Sequence, residues 1–140
     1  KQVEGRNGIR FQADQSLSEI DASAFDMVFL PGGPGVLPLA KNALITEIIQ
    51  SSDHESKFVA AICAAPKVLA QAGILENRPA TGHSSVRSEL PVPSQDRIVQ
   101  SDHIITSQGA GTAIEFGIKL AVLLVGEETA QSVADSIHAI

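Results

Sequence analysis

Apolar and polar positions divide the chain into short apolar runs and longer stretches with helical spacing. Asp26–Leu30 (DMVFL) is an apolar run closed by PGGPG, the pattern of a buried strand that ends in a loop. Leu39–Gln50 (LAKNALITEIIQ) carries apolar residues at helical spacing and predicts the next helix. Lys57–Ile62 (KFVAAI) predicts a second buried strand, followed at once by a helix over Ala64–Ala72 with Gly73 as its stop. Ile104–Ser107 (IITS) predicts a third strand, ending in QGAG. Thr112–Val125 and Glu127–Ile140 read as two helices separated by Gly126. Gly8–Ala13 (GIRFQA) reads as a strand or hairpin arm, and Ser84–Ser94 as a loop with at most one helical turn.

Strands that alternate with helices imply an α/β fold with a parallel sheet covered on both faces. Ligands of such sheets bind beyond the carboxyl ends of the strands. The small-residue loops PGGPG, CAAP and QGAG each follow a strand, so all three are expected on one edge of the sheet. With 140 residues and 44% hydrophobic content, the chain suits a single domain over 1–140.

Charge narrows the partners. The net charge is −6 and no basic stripe occurs, which argues against a broad nucleic-acid or anionic-membrane surface. No uninterrupted apolar run reaches the roughly 18 residues of a membrane span. One cysteine cannot make an internal disulfide, so a reducing, cytoplasmic setting is expected. The chain opens on KQVEGRNG rather than on Met, which reads as the middle of a longer product.

That single cysteine, Cys63, stands in FVAAICAAPKVLAQAG, at the junction of strand and helix. Such a turn lifts a side chain above the sheet edge, the device that presents the nucleophile of G-x-S-x-G hydrolases. It needs small residues two positions to either side, here Ala61 and Ala65. N–H groups at the start of the following helix are expected to favour a thiolate, and Pro66 fits its first turn. The competing reading is a buried, inert cysteine in an apolar AAICAA context. Gly32 and Gly33 weigh against it, because two glycines after a strand let backbone N–H groups approach a substrate oxygen.

Of the histidines, only His83 is placed near the carboxyl edge. His103 falls at the start of its strand, the opposite end, while His54 and His138 read as surface residues. No Cys/His set has metal-ligand spacing, and GAGT lacks the G-K-[ST] of a phosphate loop.

FDMVFLPGGPG, VAAICAAPKVLAQAGIL and IITSQGAGTAIEFGIKLAVLLVGEETAQSVA, in this order and spacing, resemble the ThiJ/PfpI superfamily, most closely its DJ-one-like branch. The resemblance spans nearly the whole chain. It implies a flavodoxin-like three-layer α/β sandwich, usually a homodimer, that works without a cofactor or metal. Carried over by position, Cys63 would be the nucleophile or redox-sensing thiol, and the N–H groups of Gly33 and Ala64 would form the oxyanion pocket. The implied activities are glyoxalase-type conversion of methylglyoxal and deglycation of protein adducts. Redox-regulated chaperone activity and, in other branches, peptidase activity or isocyanide hydration are also implied.

The sequence departs from that family pattern in two places. The family's first βα unit supplies a Glu that works with the cysteine as acid and base, and no such unit of roughly 30 residues precedes DMVFL. None of Glu4, Glu19, Glu47 or Glu115 matches that Glu by position. The domain is therefore expected to be incomplete at its N-terminus, with an open slot in the sheet and an N-terminal segment that is a separate chain, cleaved off, or encoded upstream of Lys1. The second departure is the loop before RIV, where some members carry an active-site histidine. It reads SELPVPSQD and has none, so no Cys–His dyad is carried over.

Overall fold

The computed structural model describes residues 2–139. Its centre is a four-stranded sheet of β3 (Met27–Leu30), β4 (Phe58–Ile62), β7 (Ile98–Ser101) and β8 (Ile104–Ser107), in the order β3-β4-β8-β7. β3, β4 and β8 run parallel, in registers that set Met27 beside Phe58 and Val59 beside Ile104. β7 returns antiparallel to β8. This strand was not anticipated. Its RIVQS run is half polar, too short and too mixed to stand out beside the three apolar runs.

Period-2 alternation explains why both faces are covered. On one face Leu30, Val59, Ala61 and Ile104 pack under α2 (Ala43–His54) and α3 (Pro66–Gln71), joined by Ile45, Ile49, Val68 and Leu69. On the other, Ala60, Ile62 and Ile105 meet Phe116 and Leu120 of α4 (Ala113–Val125). α4 in turn packs against α5 (Glu127–Ser136). Two helical layers therefore enclose the sheet, as expected, and the architecture is α/β of flavodoxin-like type. α2 begins later than its spacing suggested because the Asn42 side chain caps it, accepting from the Leu44 N–H at 3.0 Å. The residues before it form the short α1 (Val36–Leu39). Gly73 stops α3 at φ +79°.

Outside the sheet, β1 (Gln2–Glu4) and β2 (Arg10–Gln12) form an antiparallel hairpin, and β5 (Pro79–Ala80) pairs with β6 (Val92–Pro93). The Ser84–Ser94 loop holds one helical turn, Arg87–Glu89.

The expected slot inside the sheet is not found. The strands are contiguous, and the opening lies at the outer edge of β3, which among the described residues pairs only with β4. An apolar groove of about 250 Å³ runs along this edge, walled by Leu17, Ile20, Phe25, Val28, Ile45 and Ile48. Among the described residues, no helix is long and apolar enough to cross a membrane.

Candidate active site

Cys63 occupies the turn between β4 and α3 with φ +65°, in the left-handed region. A non-glycine residue held there carries strain of about 1–3 kcal/mol, which only its surroundings can maintain. Those surroundings are specific. The Cys63 N–H donates to the Ser107 carbonyl at 2.9 Å, and the Cys63 carbonyl accepts from the His83 N–H at 2.7 Å. Ala61 and Ala65 are fully buried on either side, as a tight turn demands.

The three small-residue loops do gather at this point. A Cβ placed on Gly32 would stand 2.6 Å from the Cys63 Cβ and 3.2 Å from its Sγ. No real side chain fits there. Gly33 next to it has φ +92°, so the two glycines answer different demands, one for space and one for backbone conformation. A Cβ on Gly109 would lie 4.0 Å from Sγ and 3.9 Å from the His83 Cδ2, which brings QGAG to the same spot.

α3 starts later than expected, at Pro66, and this changes the electrostatics. The Ala65 N–H already donates to Ile62, those of Lys67 and Val68 donate to Ala64 and Ala65, and Pro66 has none to give. The Ala64 N–H is the one donor of this turn without a partner among the described residues. The Gly33 N–H is likewise unpartnered. These are the two backbone donors that the sequence singled out.

Cys63 lines a cavity of about 600 Å³ together with Arg6, His83, Arg87, Arg97 and the Gln108–Thr112 loop. No carboxylate is among its lining residues. Glu4 pairs with Arg10, Glu19 caps a turn, Glu47 lies exposed on α2, and Glu115 pairs with Arg97. His83 does reach the cavity, even though the SELPVPSQD loop holds no histidine, because the β5–β6 connection returns over the sheet edge. Its Nδ1 accepts from the Ser85 N–H at 3.2 Å and lies 2.8 Å from the Ser85 hydroxyl. The neutral ring therefore carries its proton on Nε2.

His103 lies at the other end of the sheet, with Nε2 2.7 Å from Asp53 Oδ1. His54 and His138 are exposed. Among the described residues, no group of three His, Cys, Asp or Glu could hold a metal ion. The arginines were missed in the sequence because none stands near Cys63 along the chain. Only the folding of the hairpin and of the loops after β5 and β6 assembles them.

Known proteins resemble the chain in sequence and in fold. Protein dj-1beta of Drosophila melanogaster is 34% identical over 134 residues, spanning 92% of this chain and 72% of that protein. The Caenorhabditis elegans protein named glutathione-independent glyoxalase DJR-1.2 is 35% identical over 134 residues, spanning 93% of this chain and 72% of that one. The crystal structure of Drosophila melanogaster DJ-1beta superposes with a TM-score of 0.94 at 33% identity, covering 100% of this chain and 78% of that one. Residues 1–123 match the DJ-1/PfpI family, and with the strained cysteine and its glycine loop in place, the chain belongs to that family.

Proposed function

We propose that this protein is a cofactor-independent thiol enzyme acting on small α-oxoaldehydes or on the glycated adducts they form with proteins. The observation that carries the reading is Cys63 at φ +65° beside two unpartnered backbone N–H groups. In this scheme the Cys63 thiolate attacks the aldehyde carbon. A C–S bond forms, the carbonyl π pair moves onto oxygen, and the N–H groups of Gly33 and Ala64 hold that oxyanion. Protonation gives the hemithioacetal, with the Nε2–H of His83 as a donor within the same cavity. Moving the proton from C1 to C2 then requires a base, after which the thioester is hydrolysed to the hydroxy acid. The name of the Caenorhabditis elegans relative supports this choice of substrate.

The cavity lining offers no carboxylate for the base step. We assign it to a βα unit N-terminal to Lys1, pairing along the free edge of β3 and bringing a Glu to Cys63. The apolar groove at that edge supports the assignment. The reading includes a homodimer in the cytoplasm, for which the exposed Ile9, Phe11, Leu37 and Ile114 offer apolar surface. The experiment is methylglyoxal turnover by this chain, by the chain extended with such a unit, and by the extended Cys63→Ser variant. Turnover is expected only from the extended chain with its cysteine. Turnover that survives Cys63→Ser would end the proposal.

A second reading rests on the same sulfur. Exposed to peroxide, the thiolate would take two oxygens from two molecules of hydrogen peroxide, releasing two of water and leaving a sulfinate. The partly exposed Cys63 and its unpartnered N–H neighbours favour it. This would make the protein a redox-sensing stress protein or chaperone. A mass gain of two oxygens at Cys63 under mild peroxide, with no aldehyde turnover, would select it. Peptidase-type hydrolysis by the same nucleophile is the remaining alternative.

A further inference from the structure

The cavity over Cys63 runs against the charge of the chain. The protein carries a net charge of −6, yet the cavity is lined by Arg6, Arg87 and Arg97 and by no acid. These three arginines are not equivalent. Arg97 is neutralised by Glu115 at 3.0 Å and also donates to the Gly111 carbonyl. Arg87 spends its fork on the Gly82 carbonyl, at 2.9 Å and 3.2 Å, and on the Gln95 side chain. Its partners are neutral, so its charge remains while three of its five N–H donors are used. Arg6 has no hydrogen bond or ion pair among the described residues. Arg10, on the same hairpin, is by contrast closed on Glu4 at 2.8 Å.

Arg6 is held in place by its backbone. It sits at the tip of the β1–β2 hairpin, where Asn7 and Gly8 take φ of +67° and +77° and the Gly5 N–H donates to Ile9 at 2.7 Å. The turn presents one free guanidinium fork to the cavity that contains the sulfur. A planar fork with its donors free matches a carboxylate in bidentate fashion. Each guanidinium has five N–H donors, of which Arg97 engages two and Arg87 three, so only Arg6 offers its whole fork to a ligand.

We infer that Arg6 is a specificity-determining residue that selects small carbonyl compounds bearing a carboxylate, orienting their electrophilic carbon toward Cys63. The inference deepens the proposed thiol chemistry and rests on it only in taking Cys63 as the reacting atom. Neutral methylglyoxal would then be a minimal substrate that leaves Arg6 unused. An oxo acid, or an adduct carrying a carboxylate, would engage it.

The test uses two probes of nearly the same size, iodoacetate and iodoacetamide, which differ in charge. In both, the Cys63 sulfur displaces iodide from the methylene carbon, so turnover of a natural substrate is not needed. Relative to a small free thiol, Cys63 is expected to favour iodoacetate over iodoacetamide by about tenfold at low salt. Arg6→Gln should remove most of that preference through the iodoacetate rate alone, leaving the iodoacetamide rate within about twofold. Arg10→Gln, the same loss of charge on the same hairpin, should leave the preference in place. An unchanged preference in Arg6→Gln, or an equal fall in Arg10→Gln, would overturn the inference. Arg6 is exposed and unpartnered, so its replacement removes no contact of the fold. Protection of Cys63 from iodoacetamide by glyoxylate, stronger than by glyoxal and lost in Arg6→Gln, is the second expected result. Failure of methylglyoxal turnover with these results intact would defeat the glyoxalase reading and leave the carboxylate site standing.

Discussion

The two ends of the central sheet hold the same kinds of residue in opposite conditions. At the amino end of β8, His103 and Arg78 both direct nitrogen at the Asp53 carboxylate, at 2.7 Å and 2.5 Å, and Lys57 lies 3.0 Å from Glu55. Charges there are matched and side chains are half-buried. At the carboxyl end, Cys63 is strained, two N–H groups lack partners, and Arg6 faces a cavity without an acid. One end is closed by its own residues, while the other is left unsatisfied in a way that a ligand can complete. Local strain and unmet polar groups persist in a folded protein only where the rest of the structure over-determines them. The parallel strands meeting at Cys63 supply that constraint.

The largest expected effect tests how tightly the carboxyl end is set. Gly32→Ala would put a Cβ 2.6 Å from that of Cys63, so either the PGG loop or the cysteine turn must move. A displacement of that size should lower the Cys63-dependent turnover of the extended chain by about 100-fold. Alkylation of Cys63 by iodoacetamide in the same variant reports whether the sulfur itself has moved. Turnover near the wild-type level would show that the loop is looser than the contact implies.

The converse change belongs to the amino end. Asp53→Ala removes the shared acceptor of Arg78 and His103, whose side chains are only 27% and 12% exposed. Stability measured by urea unfolding should fall by about 2–3 kcal/mol. The Cys63 alkylation rate should not change. A fall in that rate would mean that the two ends are coupled through the sheet, against the separation drawn here.

How much of this was legible in the sequence depends on range. Apolar runs and breakers revealed β3, β4, β8 and the helices from α2 onward, because period and punctuation are local properties. The place of Cys63 could be read for the same reason: strand, turn and helix are consecutive. β7 escaped because its run is short and half polar, and its antiparallel pairing with β8 becomes visible only in the fold. The cationic lining escaped more completely, since Arg6, Arg87 and Arg97 lie far apart along the chain and converge only in three dimensions. His83 fell between. Its position after a short strand pointed to the carboxyl edge, whereas the histidine-free loop pointed away from a Cys–His pair. The N-terminal start of α3 was also misjudged, because Ala64 and Ala65 are good helix formers that the turn at Cys63 takes for itself.

The strain at Cys63 yields a smaller effect of unusual sign. In most folded segments alanine is more stabilising than glycine, since glycine loses more chain entropy. At φ +65° the order should invert, because a Cβ in the left-handed region is penalised while glycine is not. Cys63→Gly should therefore be more stable than Cys63→Ala by about 1 kcal/mol in urea or thermal unfolding. Equal stabilities would place the strain elsewhere in the turn.

The smallest effect separates the two ends by acid. Near the amino end of β3 and β4, the Asp21 carboxyl is held below its ordinary value of 3.8, first by the Ser23 hydroxyl and then by the Ser23 N–H. Glu55 is held below its ordinary 4.5, first by Lys57 and then by the Ser51 hydroxyl. A carboxyl with a lowered folded value binds its proton more readily in the unfolded chain. Its stabilisation is thus complete above the unfolded value and is lost as pH falls through the folded one. Both groups are exposed, so the contribution is small and screened by salt. The thermal midpoint of Asp21→Asn/Glu55→Gln should lie slightly below that of the native chain at neutral pH, and the gap should close as pH falls from about 4.5 toward about 3. Arg6→Gln offers the matching control, because no carboxylate of the fold depends on Arg6. Its difference from the native chain should not vary over that range, and a gap that closes in both variants would show that acid acts on the whole molecule rather than on its paired end.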